Sequence, residues 1–468
     1  MQHGIDGRKA NLAADKPDEK LIRQALAAAR DTRSLAVDGG IRHDVQRFFS
    51  KEFATARAII VADGNTFPAA GEDVLRSFTR KDHSVEKPFV FGPHVYANWQ
   101  SVEELTDALR KVDAIPVAVG SGTINDLTKL ASCRMGRPYM VVATAASMDG
   151  YTAYGASITR DGSKQTFDCP APRAALADLE VIAAAPARMS ASGYADLTAK
   201  CAAGGDWILA DVAGEEPIDE SAWRSVQGPL LDWLASPEGV AAGDPGCLRR
   251  LIYGLMMSGF VMQAMRSSRP ASGAEHQFSH LWDMQHHVYN GEAPSHGFKV
   301  GIGTLASLAV YDHLLKSDLT PFDVEQAVSK WPSIETLEAR ITAVLGDKSL
   351  AGKAVEETRA KYISHESLRI QLTRLRDRWP GLRERLERRL PRFAETRERL
   401  RTAGCPFEPE QIGISRERLR VSFEQAWYIR RRYTVLDFVQ RAGIAGSTMD
   451  VIFGDAGRWP IPAGEARA

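Results

Sequence analysis

Three short stretches, far apart in the chain, carry side chains suited to holding a divalent cation. They are SGYADLTAK at 192–200, GAEHQFSH at 273–280 and SHGFKVG at 295–301. Asp196, His276 and His296 offer one carboxylate and two imidazoles, an N/O ligand set that suits zinc, nickel or iron. Three protein ligands also leave a coordination position open, as catalytic metal chemistry requires. Spacing alone does not single these residues out. An Asp in one helix and His residues in others are usually satisfied polar groups. His276 and His280 share a helix face as an i,i+4 pair, which is a common accident. Lys200, four residues after Asp196, is placed simply to pair with it.

A second kind of chemistry sits earlier in the chain. The stretch GSGTINDLTK at 120–129 follows an apolar strand-like run and opens a helical one. Its glycines let backbone N–H groups approach a pyrophosphate, and the helix N-terminus adds partial positive charge. The pattern is not G-x-G-x-x-G, because Asn125 stands where the third glycine would be, and it lacks the G-K-[ST] of a P-loop. A tight strand-to-helix turn explains it equally well. The stretch ATAASMDG at 143–150 also follows an apolar run. Thr144 and Ser147 offer hydroxyls, Ala145 and Ala146 let a ligand come close, and Asp149 can accept a hydroxyl from a polyol. Asp63 closes another run, where an acidic residue either binds ribose hydroxyls or makes a turn.

The elements that must position these groups change character along the chain. Helical patterns at 21–29, 69–78 and 123–133 alternate with apolar strand-like runs at 58–61, 88–91, 115–119 and 139–143. The S-x-x-E spacing at 101–104 has the form of a capping box opening another helix. This alternation predicts an α/β domain with an open parallel sheet, whose ligands bind at the carboxyl ends of the strands. A hairpin is expected at 156–167 around Asp161-Gly162, and a further strand near 179–182. Beyond residue 186 nearly everything has helical periodicity, so an all-helical domain follows. The expected layout is a loose extension over 1–30, a dinucleotide-binding domain over 31–185 and a helical metal- and substrate-binding domain over 186–468.

Bulk properties remove other function classes. Lys plus Arg and Asp plus Glu both number 59, so net charge gives no argument for nucleic acid or an anionic membrane. Over 369–401 the arginines are interleaved with glutamates, as on a solvated helix face. Five scattered cysteines without a C-x-x-C pair suit reduced thiols in a cytoplasmic protein. The first residues have no apolar core for a secretory signal, and no apolar run is long enough to span a bilayer.

Taken in order, V-x-D-x-N-T, G-S-G-x-x-N-D-L-T-K, T-A-A-S-x-D-G, G-Y-A-D-L-T-A-K, G-A-E-H-x-F-S-H and S-H-G-x-K-V-G resemble the sn-glycerol-1-phosphate dehydrogenases. Those enzymes belong to the metal-dependent alcohol dehydrogenase and dehydroquinate synthase superfamily. The C-terminal stretches QIGISRERL at 411–419 and IRRRYTVL at 429–436 are similar to the bacterial branch. The resemblance covers roughly residues 45 to 460. It implies a Rossmann-like domain followed by an all-α domain, with NAD or NADP held by Asp63, Gly120, Ser121, Gly122, Thr123 and Ile124. Thr144, Ala145, Ala146 and Ser147 would lie toward the nicotinamide. One divalent metal per chain would be held by Asp196, His276 and His296, with zinc expected first and nickel or iron as alternatives. Asp149, His280 and Asp196 would meet dihydroxyacetone phosphate or glycerol 1-phosphate, and further copies of the chain would form a dimer or larger homo-oligomer. Two departures stand out: Met148 replaces a commonly polar residue, and Ala153 stands where a cofactor-contacting Ser is expected, with Thr152 beside it. Lys200 and Lys299 are both candidates for the substrate phosphate. A polyol dehydrogenase of the same superfamily, a dehydroquinate-synthase-type lyase and a non-catalytic protein that kept the fold are the rival readings.

Overall fold

The computed structural model describes residues 19–160 and 163–462. Residues up to 18 of the expected loose extension, and the Asp161-Gly162 turn, lie outside the described residues. Contacts divide the rest into two compact units. The first comprises residues up to Thr159, Gln165–Gly193 and Gly228–Arg266; the second comprises Arg160–Lys164, Tyr194–Gln227 and residues from Ser267 onward.

The first unit is built on six parallel strands: β1 (Ser34–Asp38), β2 (Ala58–Asp63), β3 (Phe89–Phe91), β4 (Ile115–Gly120), β5 (Met140–Ala143) and β8 (Ala174–Asp178). Their order is β1-β8-β5-β4-β2-β3. Strands β2, β5 and β8 are buried along their whole length, as expected of parallel strands covered on both faces. Ile60, Val117, Val119, Val142 and Leu176 form one core with Val45 and Phe49 of α2 (Val45–Phe53) and with Val74 and Phe78 of α3 (Glu72–Thr79). The short strands β6 (Ala156–Arg160) and β7 (Ser163–Phe167) pair in a separate sheet, where the hairpin was expected.

Sheet winding reverses around β2. The chain leaves β2 for β3 on one side and returns to β4 on the other, so the carboxyl ends of β2 and β4 flank a topological switch point. The loops after β2, β4 and β5 therefore sit side by side.

Three local readings are corrected. The strand expected near 179–182 is helix α6 (Leu179–Ala184), and the strand is the alanine-rich β8 just before it. Asp178 makes the switch: its Oδ1 accepts from the N–H groups of Glu180 at 3.0 Å and Val181 at 3.4 Å, capping the helix. Strand β1 has no counterpart in the expected pattern. The helix α4 (Trp99–Arg110) is capped by Asn98, whose Oδ1 accepts from Ser101 N–H at 2.9 Å, so the S-x-x-E spacing lies inside its first turn.

The first unit also extends beyond the boundary near 185 that the periodicity suggests. In the helix Pro245–Met265, Met257 and Phe260 pack with Ala25 of α1 (Glu19–Ala28), and Arg249 donates to the Val37 carbonyl at 2.9 Å. The second unit is helical apart from the hairpin residues it includes. It holds most of the 27-residue α7 (Ala187–Ala213) and the helices Ala274–Met284 and His296–Leu314. No helix among the described residues is long and apolar enough to cross a membrane.

Candidate metal centre and cofactor loops

Asp196 lies in the N-terminal half of α7, His276 in the first turn of Ala274–Met284, and His296 begins His296–Leu314. The last two helices pack very closely. A Cβ on Gly303 would stand 2.3 Å from the Glu275 carbonyl oxygen, so only glycine permits this approach. One ligand atom each from Asp196, His276 and His296 then falls within 4.8 Å of the others. His276 Nε2 is 3.7 Å from Asp196 Oδ1, and the two imidazole centroids are 5.4 Å apart.

Buried partners prepare this trio. Glu275 Oε1 takes the Nδ1 hydrogen of His276 at 2.8 Å, which leaves the Nε2 lone pair facing Asp196. Glu275 also accepts from Gly273 N–H at 2.6 Å. Behind it, Asp206 accepts from Tyr311 Oη at 2.6 Å, Ala274 N–H at 2.7 Å and Val435 N–H at 2.8 Å. Burial, and then the charge of Glu275, push the Asp206 carboxyl above the usual range. Lys200 Nζ sits 2.7 Å from Asp196 Oδ1 with both side chains fully buried. Burial, then the charges of Lys164 and His276, hold His296 well below the ordinary imidazole pKa and so neutral. A carboxylate and two imidazole lone pairs converging in a buried place fit a divalent cation, whose N and O ligands stand about 2.0–2.2 Å away.

His280 stays outside the trio, its ring centroid 6.3 Å from that of His276 and 6.4 Å from that of His296. Arg430 donates to its Nε2 at 3.0 Å. Arginine has no acceptor, so the ring proton of neutral His280 is on Nδ1. Burial, then Arg430 and the neighbouring imidazoles, keep it neutral.

The cofactor candidates belong to the first unit. Asp63 ends β2, and its Oδ1 accepts from the N–H groups of Asn65 and Thr66, both at 2.8 Å. Gly120 ends β4, and Ser121 occupies the N-cap of α5 (Gly122–Arg134) without a side-chain cap bond. Thr123 and Ile124 lie in the first turn of α5. Thr144, Ala145, Ala146 and Ser147 follow β5. The start of α7 closes on this last loop, where a Cβ on Gly193 would be 1.9 Å from the Ala146 carbonyl oxygen. Asp149 accepts from Ser258 Oγ at 2.9 Å.

Other motif residues turn out to be supports. Lys129 Nζ donates to the carbonyls of Gly150, Ala153 and Gly155, each at 3.0 Å, stapling the loop that carries Asp149. Asn125, in the place of a third glycine, accepts from Tyr139 Oη at 3.0 Å. Thr152 donates its hydroxyl to the Met256 carbonyl at 2.6 Å and is fully buried, so it does not stand in for the missing serine. Met148 folds its thioether onto the Gly150 N–H. Sequence reading missed Glu275, Asp206 and Arg430. Only Glu275 carried a signal, as a carboxylate directly before His276 at a helix start.

Residues 36–186 match the family model described as iron-containing alcohol dehydrogenase. A glycerol-1-phosphate dehydrogenase (NAD(P)+) of Halalkalibacterium halodurans is 34% identical over 269 residues, 57% of this chain and 67% of that protein. Its namesake from Geobacillus thermodenitrificans is 30% identical over 387 residues, 81% of this chain and 85% of that protein. The crystal structure of a probable glycerol dehydrogenase from Sinorhizobium meliloti superposes with a TM-score of 0.57 at 15% identity, covering 89% of this chain and 97% of that one. At that identity the likeness is one of fold.

Proposed function

Because this chain belongs to the NAD(P)+-linked glycerol-1-phosphate dehydrogenase family, we propose that it interconverts dihydroxyacetone phosphate and sn-glycerol 1-phosphate. The observation that carries the reading is the convergence of Asp196, His276 and His296 within 4.8 Å. These three residues hold one divalent cation, zinc by first expectation and nickel or iron otherwise. When bound there, such an ion supplies Lewis acidity toward the C2 oxygen of the substrate.

The chain's own residues do the rest. Glu275 fixes the His276 tautomer, and Lys200 anchors the Asp196 carboxylate from the side. His280 presents its Nδ1–H to a substrate oxygen, holding it or supplying the proton that balances hydride arrival at C2. Asp149, oriented by Ser258, accepts a substrate hydroxyl. In the other unit, the N–H groups at the start of α5, with Gly120, Ser121, Gly122, Thr123 and Ile124, bind the pyrophosphate of NAD or NADP. Asp63 takes ribose hydroxyls, and Thr144, Ala145, Ala146 and Ser147 bound the nicotinamide end. The five cysteines, none of them joined in a disulfide, support a reducing, cytoplasmic setting, and the working form is a homo-oligomer.

The test is oxidation of NADH and NADPH with dihydroxyacetone phosphate beside unphosphorylated dihydroxyacetone, with the product's stereochemistry determined. Preference for the phosphorylated ketone and formation of the sn-1 product are expected. Turnover of only the unphosphorylated ketone would replace this reading with a polyol dehydrogenase.

A further inference from the structure

We propose that Arg430, with Lys164 as its helper, is the anion site that receives the substrate's phosphate. The proposal rests on the reading above that the substrate is a phosphorylated triose.

The first observation is a charge imbalance inside the second unit. Three cations, Lys164, Lys299 and Arg430, act on the His280 and His296 pair. Asp283 is the one carboxylate paired with any of them among the described residues. Lys299 takes its Oδ1, while Lys164 stops 3.5 Å from its Oδ2, an atom left buried without a hydrogen-bond donor. Lys164 is thus held near Asp283 by charge but not committed to it. Arg430 has no carboxylate within ion-pair distance among the described residues. Glu357, the acidic group whose charge reaches it, is taken by Arg431 at 2.9 Å and by Lys353 at 3.2 Å. Two positive charges in excess match a phosphate dianion.

The second observation is what Arg430 does with its donors. One guanidinium nitrogen bonds His280 Nε2 at 3.0 Å, which fixes the plane of the group, and no other partner is recorded for it among the described residues. A planar guanidinium with free donors matches two phosphate oxygens at once. Burial lowers the pKa of Arg430, the mark of a cation paying for desolvation that an incoming anion would offset. Arg430 touches His280, whose ring centroid lies 6.3 Å from that of His276 and 6.4 Å from that of His296, and the substrate's phosphorus lies three covalent bonds from C2. Lys200 and Lys299, the lysines suggested by sequence, are instead committed to Asp196 and Asp283.

The experiment compares Arg430→Gln and Lys164→Ala with the wild type, each loaded with metal. KM for dihydroxyacetone phosphate is expected to rise about 30-fold or more in Arg430→Gln and several-fold in Lys164→Ala, with metal content unchanged. The preference for the phosphorylated over the unphosphorylated ketone should shrink by the same factors. An unchanged preference in both variants overturns the proposal. A second readout is independent of turnover: inorganic phosphate should raise the Tm of the wild type and not that of Arg430→Gln. Equal shifts in the two, or no shift in the wild type, also overturn it. If Arg430→Gln does not fold, Arg430→Lys and Lys164→Ala, at a partly exposed position, carry the same comparison. A wild type that ignores dihydroxyacetone phosphate but loses phosphate stabilisation in Arg430→Gln would leave the anion site standing and remove the assigned substrate.

Discussion

The loops proposed to hold the cofactor in the α/β unit and the trio proposed to hold a metal in the helical unit differ in what supplies their binding atoms. The loops offer mainly backbone N–H groups, at positions contiguous in the chain and held by neighbouring strands β2, β4 and β5. The trio offers side chains from three helices, with Asp196 and His276 80 positions apart, and Asp196 and His276 each lean on a buried partner. A backbone site needs glycine and small residues at the right strand ends. A side-chain site needs a supporting shell that local sequence does not display.

If that contrast is real, the two sites should break separately. The largest effect is expected from Asp196→Ala and His276→Ala, which should lose metal and lower kcat/KM by about 1,000-fold or more. Full metal retention in both, by elemental analysis, would rule out the assigned ligands. Next comes Glu275→Gln, which should weaken metal affinity about 10–100-fold through the His276 tautomer, measured by competition with a chelator. Normal affinity there would reduce Glu275 to a helix-start carboxylate. Asp63→Ala probes the other unit, with KM for NAD(P)H rising about tenfold and metal content untouched. Loss of metal in that variant would show the sites to be coupled.

The smallest effect concerns pH. His280 has a folded pKa below its unfolded value, so the unfolded chain binds more protons as pH falls through about 6.5. Stability should therefore fall with acidification. Relative to His280→Gln, the wild type should lose about 1 kcal/mol per pH unit at most between pH 6.5 and 5.5, read from paired denaturant titrations. A difference independent of pH would mean that His280 titrates normally in the fold.

Much of the frame was legible because its cause is local. The β-branched and apolar runs of β2, β4 and β5 are buried on both faces, so burial leaves a continuous signature in the sequence. Strand β8 was displaced by a few residues because alanine carries little strand signal and because Asp178 caps the helix that follows. The residues proposed as metal ligands were singled out through their resemblance to a family rather than through spacing.

Residue types and their order determine, without any structure, a parallel α/β sheet followed by helices, the cofactor-type loops and an N/O ligand set. Only the tertiary structure decided that helix Pro245–Met265 packs with the sheet, that Glu275 and Asp206 stand behind His276, and that Arg430 meets His280. The Arg430–His280 contact joins residues 150 positions apart. Hydrogen bonds and charge balance at that separation depend on how helices pack, and packing leaves no period in the chain to read.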